Sequence, residues 1–477
     1  MQKRTARAYF WAIVETGSRQ CLGMVFFLIL ARLLPPYTLG LFAAATVSLD
    51  LAKCFFDEPV GEVIVQRHRI TRAEVDTLFW TLLLVAIAML GAIDAAAGLL
   101  ASLYHAPEII AITCALSIAT LIGSLATVPQ ALIRRRMDFR SLANRQMAGH
   151  ILSGSVTVGA ALLGWGVWSL VAGQIVATTV CTILVWRAVK WRPRLSVSGR
   201  ALVSMLPYAR SIVLIRLIQT ARGQIDKLLI GAMFGMEVLG FYAVAIRIAG
   251  VLTDGVLGAF NQVNLVSLAK TQRSALFNER FYAIQTFTAL ALGPAYTALL
   301  TSGGELVSGL LGGGWHEAGR LLPWLAISGC CAVVFDTHSV AFRSINRPSW
   351  ALAMSGLSLA ADALLIVFVG RWNILTLVSA IAIKNIAAAA LVTLLGHATL
   401  GTHVAIYAAR LLPVLLACAA MAAASVLVEK SLSDHGIMIR VGGSLGAGAL
   451  VYVAISAAVF RDSLKSLRDS YLAATHV

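Results

Sequence analysis

Apolar runs of about 20 residues recur from one end of this chain to the other, and no other sequence feature restricts its fold as strongly. Examples are WTLLLVAIAMLGAIDAAAGLL at residues 80–100 and ALAMSGLSLAADALLIVFVG at 351–370. A helix of that length spans the hydrocarbon core of a bilayer and satisfies its backbone hydrogen bonds internally. Only 13% of the 477 residues are charged, too few to cover a water-exposed surface. The sequence therefore predicts an all-α polytopic membrane protein.

The apolar runs, read between their polar breaks, predict about fourteen transmembrane helices. Their centres lie near residues 20, 46, 90, 118, 157, 176, 218, 250, 291, 332, 360, 384, 415 and 449. We expect a six-helix lobe at residues 1–195, a second six-helix lobe at 196–400, and two additional helices with a short cytoplasmic tail at 401–477. The loops between the runs are short, so no soluble domain is predicted.

One short phrase occurs twice in the chain. Residues 39–45 read LGLFAAA and residues 239–245 read LGFYAVA, at an offset of 200. Each copy follows an odd-numbered predicted span, so both lie on the same side of the membrane. This favours a six-span unit repeated once in the same orientation, which gives two pseudo-symmetric lobes with a substrate path between them. The alternative is that a short turn favours glycine after leucine at both places.

Lysine and arginine indicate the orientation, because they crowd the cytoplasmic loops of membrane proteins. With a cytoplasmic N-terminus, 24 of the 38 basic residues fall on the cytoplasmic side and four on the opposite side. We therefore expect a multi-pass protein of the bacterial cytoplasmic (inner) membrane with both termini in the cytoplasm, its first span uncleaved. This topology accounts for the net charge of +16, so nucleic-acid binding is not expected.

No sequence motif indicates a cofactor, a metal site or an enzyme. The seven cysteines lie within apolar runs without a Cys-x-x-Cys pair, and no GxxxxGK[ST] phosphate loop occurs. His150 and His338 are isolated and are interpreted as packing or helix-end residues. Asp94 and Asp362 stand in otherwise apolar spans, where a proton-carrying role and a hydrogen-bonded structural role both stay open.

Charged residues inside the spans are the strongest functional signal, because each costs about 2.5–3.5 kcal/mol at mid-membrane. They concentrate in spans 1, 2, 7 and 8, the first two of each expected lobe. Seven basic residues against four acidic ones leave a surplus of three positive charges. The basic residues, predicted to line a substrate-binding cationic cavity, are Arg19, Lys53, Arg216, Arg222, Lys227, Arg247 and Lys384. The acidic residues, predicted to serve ion coupling or pairing, are Glu15, Asp50, Asp226 and Asp254.

A cavity with such a surplus suits a polyanion such as a pyrophosphate, because arginine binds phosphate oxygens bidentately. The alternative interpretation is that neutralised pairs simply hold helices together. The spacing along the helices offers three such pairs, which are Glu15–Arg19, Asp50–Lys53 and Arg222–Asp226.

Several stretches resemble a known family when they are read in order. They are ARLLPPYTLGLFAAATVSLDL, VGEVIVQR, VPQALIRRRMDFRSLA, GWGVWSLVAGQ, WRPRLS and QIDKLLIGAMFGMEVLGFYAVAIRIAG. The chain is similar in these stretches to bacterial polysaccharide flippases of the Wzx type, in the multidrug/oligosaccharidyl-lipid/polysaccharide (MOP) exporter superfamily. The resemblance covers roughly residues 1–430 and is strongest at 20–270.

The resemblance implies an activity, a mechanism and partners. It implies transport of an undecaprenyl-pyrophosphate-linked oligosaccharide from the cytoplasmic to the periplasmic leaflet by ion-coupled alternating access, for exopolysaccharide or lipopolysaccharide synthesis. Membrane lipid and other assembly proteins, such as a polymerase and a copolymerase, are the further partners that it implies. The family often has Gly-Pro-Glu where this chain has Pro35-Pro36-Tyr37. Where the family commonly has Asn-Leu-Asp-Asn, this chain has Lys227 after Asp226, which departs from the family pattern at a position implied in ion coupling.

Two other functions stay open at the level of the sequence. A multidrug/cation antiporter of the same superfamily should have an acidic cavity, which the basic surplus disfavours. A membrane-embedded polysaccharide polymerase should have a large extracytoplasmic loop with catalytic arginine or histidine residues, and the longest such loop here, near residues 303–320, is short and glycine-rich.

Overall fold

The computed structural model describes residues 20, 22–67, 70–136, 139–253, 264, 268, 276–345 and 347–459. The regular secondary structure of these residues is helical throughout. The helices are α1 (Leu22–Leu33), α2 (Pro36–Gln66), α3 (Arg72–Ala95), α4 (Ala97–Tyr104), α5 (Glu108–Arg135), α6 (Phe139–Leu162), α7 (Val167–Ala188), α8 (Gly199–Leu252), α9 (Leu276–Leu311), α10 (His316–Ser344), α11 (Pro348–Val369), α12 (Ile374–Leu400), α13 (Val404–Ser431) and α14 (Ile437–Val459).

Each predicted span has a helical counterpart in the described residues, so the predicted all-α polytopic fold is confirmed. Ten of these helices are long and apolar enough to cross a membrane. The predicted seventh and eighth spans are the two parts of α8, which meet at Gly235, where the backbone is not helical and φ is 84°. Glycine is needed there because a side chain is strained at a positive φ of this kind. The chain therefore turns back at Gly235 and begins the eighth span.

Local sequence signals fix several helix ends. Thr71 and Glu74 form a capping box at the start of α3, in which each side chain bonds the backbone N–H of the other residue. The side chain of Asn373 accepts a hydrogen bond from the Thr376 amide at the start of α12. Gly401 ends the same helix in the left-handed conformation, with a φ of 68°.

The described residues divide into two compact units, with the division between Val244 and Ala245. In the first unit α2 packs against α3, α5 and α7. Leu49, Phe56 and Ile64 of α2 are almost fully buried and follow one another at intervals of seven and eight residues, which places them on one face of the helix. The boundaries of the two six-helix lobes and the C-terminal helix pair stay predictions.

In the second unit α9 packs against α10, α13 and α14. The Ser302 and Ser444 hydroxyls of α9 and α14 lie 3.1 Å apart, and the Tyr452 hydroxyl donates to the Leu290 carbonyl oxygen at 2.8 Å. The guanidinium of Arg440 binds both carboxylate oxygens of Glu305. These polar contacts hold α14 against α9 where lipid offers no hydrogen-bond partners.

The segment between α7 and α8 is irregular, yet it is held firmly against α3. The indole N–H of Trp191 donates to Asp76 at 2.9 Å, and that of Trp80 donates to the Arg194 carbonyl oxygen at 2.8 Å. The Ser198 amide donates to the Thr77 hydroxyl at 3.0 Å. This segment therefore belongs structurally to the first unit.

Trp191→Phe is expected to destabilise this attachment. Asp76 is only 1% exposed, and without the indole N–H its remaining described side-chain donor is the Ser196 hydroxyl at 3.5 Å. Because a buried carboxylate loses its main donor, we expect unfolding free energy to fall by about 1–3 kcal/mol. Thermal unfolding in detergent and proteolysis between α7 and α8 measure the effect. Trp372→Phe is the matched control, because Trp372 is 76% exposed. Equal melting temperatures of the two variants would contradict a stabilising role of the Trp191–Asp76 hydrogen bond.

Candidate functional site

The two copies of the repeated phrase meet each other in the first unit. A Cβ added to Gly40 would overlap the Met236 carbonyl oxygen and lie 3.0 Å from the Gly240 nitrogen. A Cβ added to Gly240 would overlap the Pro36 carbonyl oxygen in the same way and lie 3.1 Å from the Pro36 Cα. Pro36 and Met236 are themselves 200 positions apart, so the contact is reciprocal. A local two-fold relation therefore links residues 36–40 with residues 236–240, which supports the repeat interpretation.

From this crossing, α2 and the first part of α8 run antiparallel, joined by polar side chains. As the residue numbers rise along α2, those of the partners on α8 fall. In order, Gln224 Nε2 donates to Asp50 Oδ2 at 3.2 Å, Cys54 Sγ to Thr220 Oγ1 at 3.1 Å, Arg216 Nη2 to Glu62 Oε1 at 2.7 Å, and Arg67 Nη2 to Ser204 Oγ at 2.9 Å. We call this line of contacts the α2–α8 seam.

The larger cavity on the seam has a volume of about 290 Å³. Its lining residues are Asp50, Lys53, Cys54, Asp57, Thr220, Gly223 and Gln224. The Lys53 ammonium pairs with Asp50 at 3.0 Å, and Asp57 accepts a hydrogen bond from Thr127. The lining thus holds two carboxylates and one ammonium, so this cavity is not cationic.

The smaller cavity on the seam has a volume of about 250 Å³. It is lined by Glu62, Ile212, Ile215, Arg216 and Gln219. The Arg216 and Glu62 side chains are 37% and 41% exposed although their charged atoms lie 2.7 Å apart. This ion pair is therefore accessible to a ligand that enters the cavity.

The structure brings together part of the predicted basic set. Lys53 lies in the larger cavity, Arg216 lies in the smaller one, and Lys227 donates to Gln224 at 3.1 Å. Arg222 lies on the same stretch of α8. Arg247 and Lys384 lie in the second unit, and Arg19 lies outside the described residues.

The predicted acidic set is placed less completely. Asp50 lies in the larger cavity, paired with Lys53 as the alternative interpretation expected. Asp226 accepts a hydrogen bond from Tyr242, the residue of the second phrase that matches Phe42 of the first. Glu15 and Asp254 lie outside the described residues, so the pair Glu15–Arg19 stays a prediction.

Three acidic residues outside the predicted set lie beside a cavity of the seam or beside a predicted basic residue. Asp57 lines the larger cavity, Glu62 pairs with Arg216, and Asp362 pairs with Lys384 at 2.8 Å. With these three residues the acidic side chains equal the seven basic ones in number. The sequence did hold one usable signal, because Asp362 and Lys384 are single opposite charges in consecutive apolar spans, and charges in membranes pair with one another.

The remaining polar candidates have local partners. The hydroxyl of Ser117 donates to Asp94 at 2.7 Å, which fits the structural role that the sequence left open for Asp94. His338 is buried against Phe281 and Tyr407, and its Nδ1 lies 2.8 Å from the Val334 carbonyl oxygen. The described residues contain no group of three His, Cys, Asp or Glu side chains that could hold a metal ion.

The sequence profile of a family described as polysaccharide biosynthesis protein matches residues 29–320 of the chain. The match covers more than half of the chain and includes both copies of the repeated phrase and the whole α2–α8 seam. The chain belongs to this family.

Curated relatives are similar over about two thirds of the chain. The teichuronic acid biosynthesis protein TuaB of Bacillus subtilis (strain 168) is 21% identical over 65% of this chain and 66% of its own length. The succinoglycan biosynthesis transport protein ExoT of Rhizobium meliloti (strain 1021) is 26% identical over 68% of this chain and 66% of its own length. The chain thus spans slightly less than two thirds of these two relatives. The lipopolysaccharide biosynthesis protein WzxC of Escherichia coli (strain K12) is 21% identical over 74% of this chain and 70% of its own length.

Solved transporter structures share the fold of this chain. The lipid II flippase MurJ in an inward closed conformation superposes with a TM-score of 0.77, over 96% of this chain and 100% of MurJ, at 14% identity. An inward-facing multidrug resistance MATE family transporter of the MOP superfamily gives a TM-score of 0.63 over 81% of this chain and 97% of its own, at 16% identity. At these identities the likeness concerns the fold alone.

Proposed function

We propose that this protein is a flippase that moves a polyprenyl-pyrophosphate-linked oligosaccharide across the bacterial inner membrane for polysaccharide synthesis. The family match over residues 29–320 is the observation that carries this proposal. The MOP transporter fold and the polar cavities within an otherwise apolar helical unit agree with it. The protein acts as a transporter by alternating access, with both termini in the cytoplasm, and it serves a polymerase and other assembly proteins.

The pyrophosphate binds the basic side chains of the seam in this proposal. Lys53 and Arg216 are both more than a third exposed at the edge of a cavity, although each is paired with a carboxylate. A phosphate group therefore has to displace Asp50 or Glu62 in order to bind. This competition keeps the affinity moderate, and a carrier needs moderate affinity because it must release its load in its second state. Arg222 and Lys227 extend the basic surface along α8.

The other predicted residues have proposed roles in the same cycle. Arg19, Arg247 and Lys384 complete the basic set, while Glu15, Asp50, Asp226 and Asp254 serve pairing or ion coupling. Lys384 has the weakest claim on the substrate, because its side chain is 15% exposed and already holds Asp362.

The test combines a deletion strain with a reconstituted system. Without the native copy, single undecaprenyl-linked repeat units should accumulate on the cytoplasmic face, and the purified protein should flip them in proteoliposomes. Lys53→Ala, Arg216→Ala, Arg222→Ala and Lys227→Ala should each reduce flipping. Arg320→Ala is the control, because Arg320 forms an exposed pair with Glu317 one turn away. Undiminished flipping by all four variants would overturn the proposed site, and absence of accumulation in the deletion strain would overturn the function.

One observation favours a second candidate, a multidrug/cation antiporter. The larger cavity holds Asp50 and Asp57 against a single lysine, and such a lining attracts cations. In that case deletion should sensitise the cell to cationic drugs while polymer export continues. If the protein is the proposed flippase, deletion should instead stop polymer export and leave the sensitivity to cationic drugs unchanged.

A further inference from the structure

The close contact between Gly40 and Gly240 is unlike the other tight glycine contacts in the described residues of the first unit. At Gly149, Gly154 and Gly173 the nearest atom to an added Cβ belongs to a side chain, which can rotate away. At Gly40 and Gly240 the nearest atom is a backbone carbonyl oxygen of the facing helix. The two helices can therefore approach this closely only if both positions lack a side chain.

This contact, between the start of α2 and the second part of α8, lies at one end of the α2–α8 seam. Asp50, which lines the larger cavity, is ten residues after Gly40, about 15 Å along a helix. Near the other end of α2, at the smaller cavity, a Cβ added to Gly61 would meet nothing within 4 Å. The helices are joined there by side chains such as Arg216 with Glu62. One end of the seam is thus closed backbone to backbone, whereas the hydrogen bonds described at the other end are made by long side chains.

We propose that the Gly40–Gly240 contact is a latch that closes one end of the transport path and must separate in each cycle. The proposal rests on the proposed transport function. The distribution of basic residues along the chain predicts that this end is extracytoplasmic, so the latch must open for release of the load outside. Two facing glycines suit such a contact because no side chains interlock across it. The surfaces can part without rotamer changes and meet again in the same register.

The test asks whether the cavity becomes accessible from outside when the latch is obstructed. A variant without native cysteines carries one reporter, Gly223→Cys, at a cavity position where a Cβ meets nothing within 4 Å. A membrane-impermeant maleimide is applied to intact cells, and to inverted vesicles for the opposite side. Gly40→Ala and Gly240→Ala should each raise the outside labelling rate by about tenfold, since overpacking penalises only the closed state. Gly61→Ala, on the same helix as Gly40, is the matched control and should leave the rate unchanged.

A second reporter keeps the test decisive if the alanine variants do not fold. Leu239→Cys, in a protein with both glycines intact, places a thiol at a position that is fully buried beside the latch. Its labelling from outside should rise when lipid-linked oligosaccharide is supplied. Folded alanine variants that label at the parent rate would overturn the latch, as would unchanged labelling at position 239 during active flipping. If labelling behaves as expected but no lipid-linked oligosaccharide is flipped by the parent protein, the latch stands and the proposed function fails.

Discussion

Asp362→Ala is expected to remove most of the folded protein from the membrane fraction. The Asp362 carboxylate lies 2.8 Å from the Lys384 ammonium, and the two side chains are only 19% and 15% exposed. The Ser358 hydroxyl is the other described acceptor of that ammonium, at 3.0 Å. Removing one partner of a buried ion pair leaves an uncompensated charge, which typically costs about 3–5 kcal/mol. Yield after gel filtration and thermal unfolding in detergent measure the loss.

The matched variant for this prediction replaces both partners with apolar residues of similar size, Asp362→Leu with Lys384→Met. Its stability should return to near the parent value, because an apolar pair avoids the desolvation that the ion pair requires. The same variant decides the role of Lys384. Normal flipping by the stable double variant assigns the pair a structural role, whereas lost flipping assigns Lys384 to the substrate. Normal folding of Asp362→Ala alone would contradict the ion pair itself.

Exchanging the charges of Glu62 and Arg216 is expected to abolish flipping while preserving the fold. Positions 62 and 216 are 154 residues apart in sequence but face each other across the α2–α8 seam. The single variants Glu62→Arg and Arg216→Glu therefore each place two like charges next to each other. The double exchange restores an attractive pair but moves the guanidinium from α8 to α2. If Arg216 binds the pyrophosphate from its own position, the double variant should fold normally and still not flip.

The measurement is flipping of lipid-linked repeat units in proteoliposomes, with gel filtration as the check on folding. Exchanging Glu317 and Arg320, an exposed pair with a 3.0 Å separation, is the control and should change neither property. Full recovery of flipping in the double exchange at positions 62 and 216 would show that pairing alone matters there. It would remove Arg216 from the proposed substrate site.

Helical spacing predicts ion pairs within one helix but not ion pairs between helices. Asp50 and Lys53 lie three residues apart on one helix, so their pairing could be predicted from helical spacing alone. Helical spacing does not reveal the partner of Glu62, because Arg216 is separated from it by 154 positions. Such a pairing depends on which helices lie side by side and in which register. Neither property follows from the residues of either helix taken separately.

The sequence by itself determined that this chain is a polytopic helical membrane protein, where its spans lie, and that one phrase is repeated at an offset of 200. These features are local, because an apolar run of sufficient length must form a helix to satisfy its own backbone in lipid. Only the tertiary structure decided that the two copies of the phrase touch through Gly40 and Gly240, and that Glu62 is the carboxylate that pairs with Arg216 across the seam. Contacts between helices depend on crossing geometry, which is set by the packing of the whole unit.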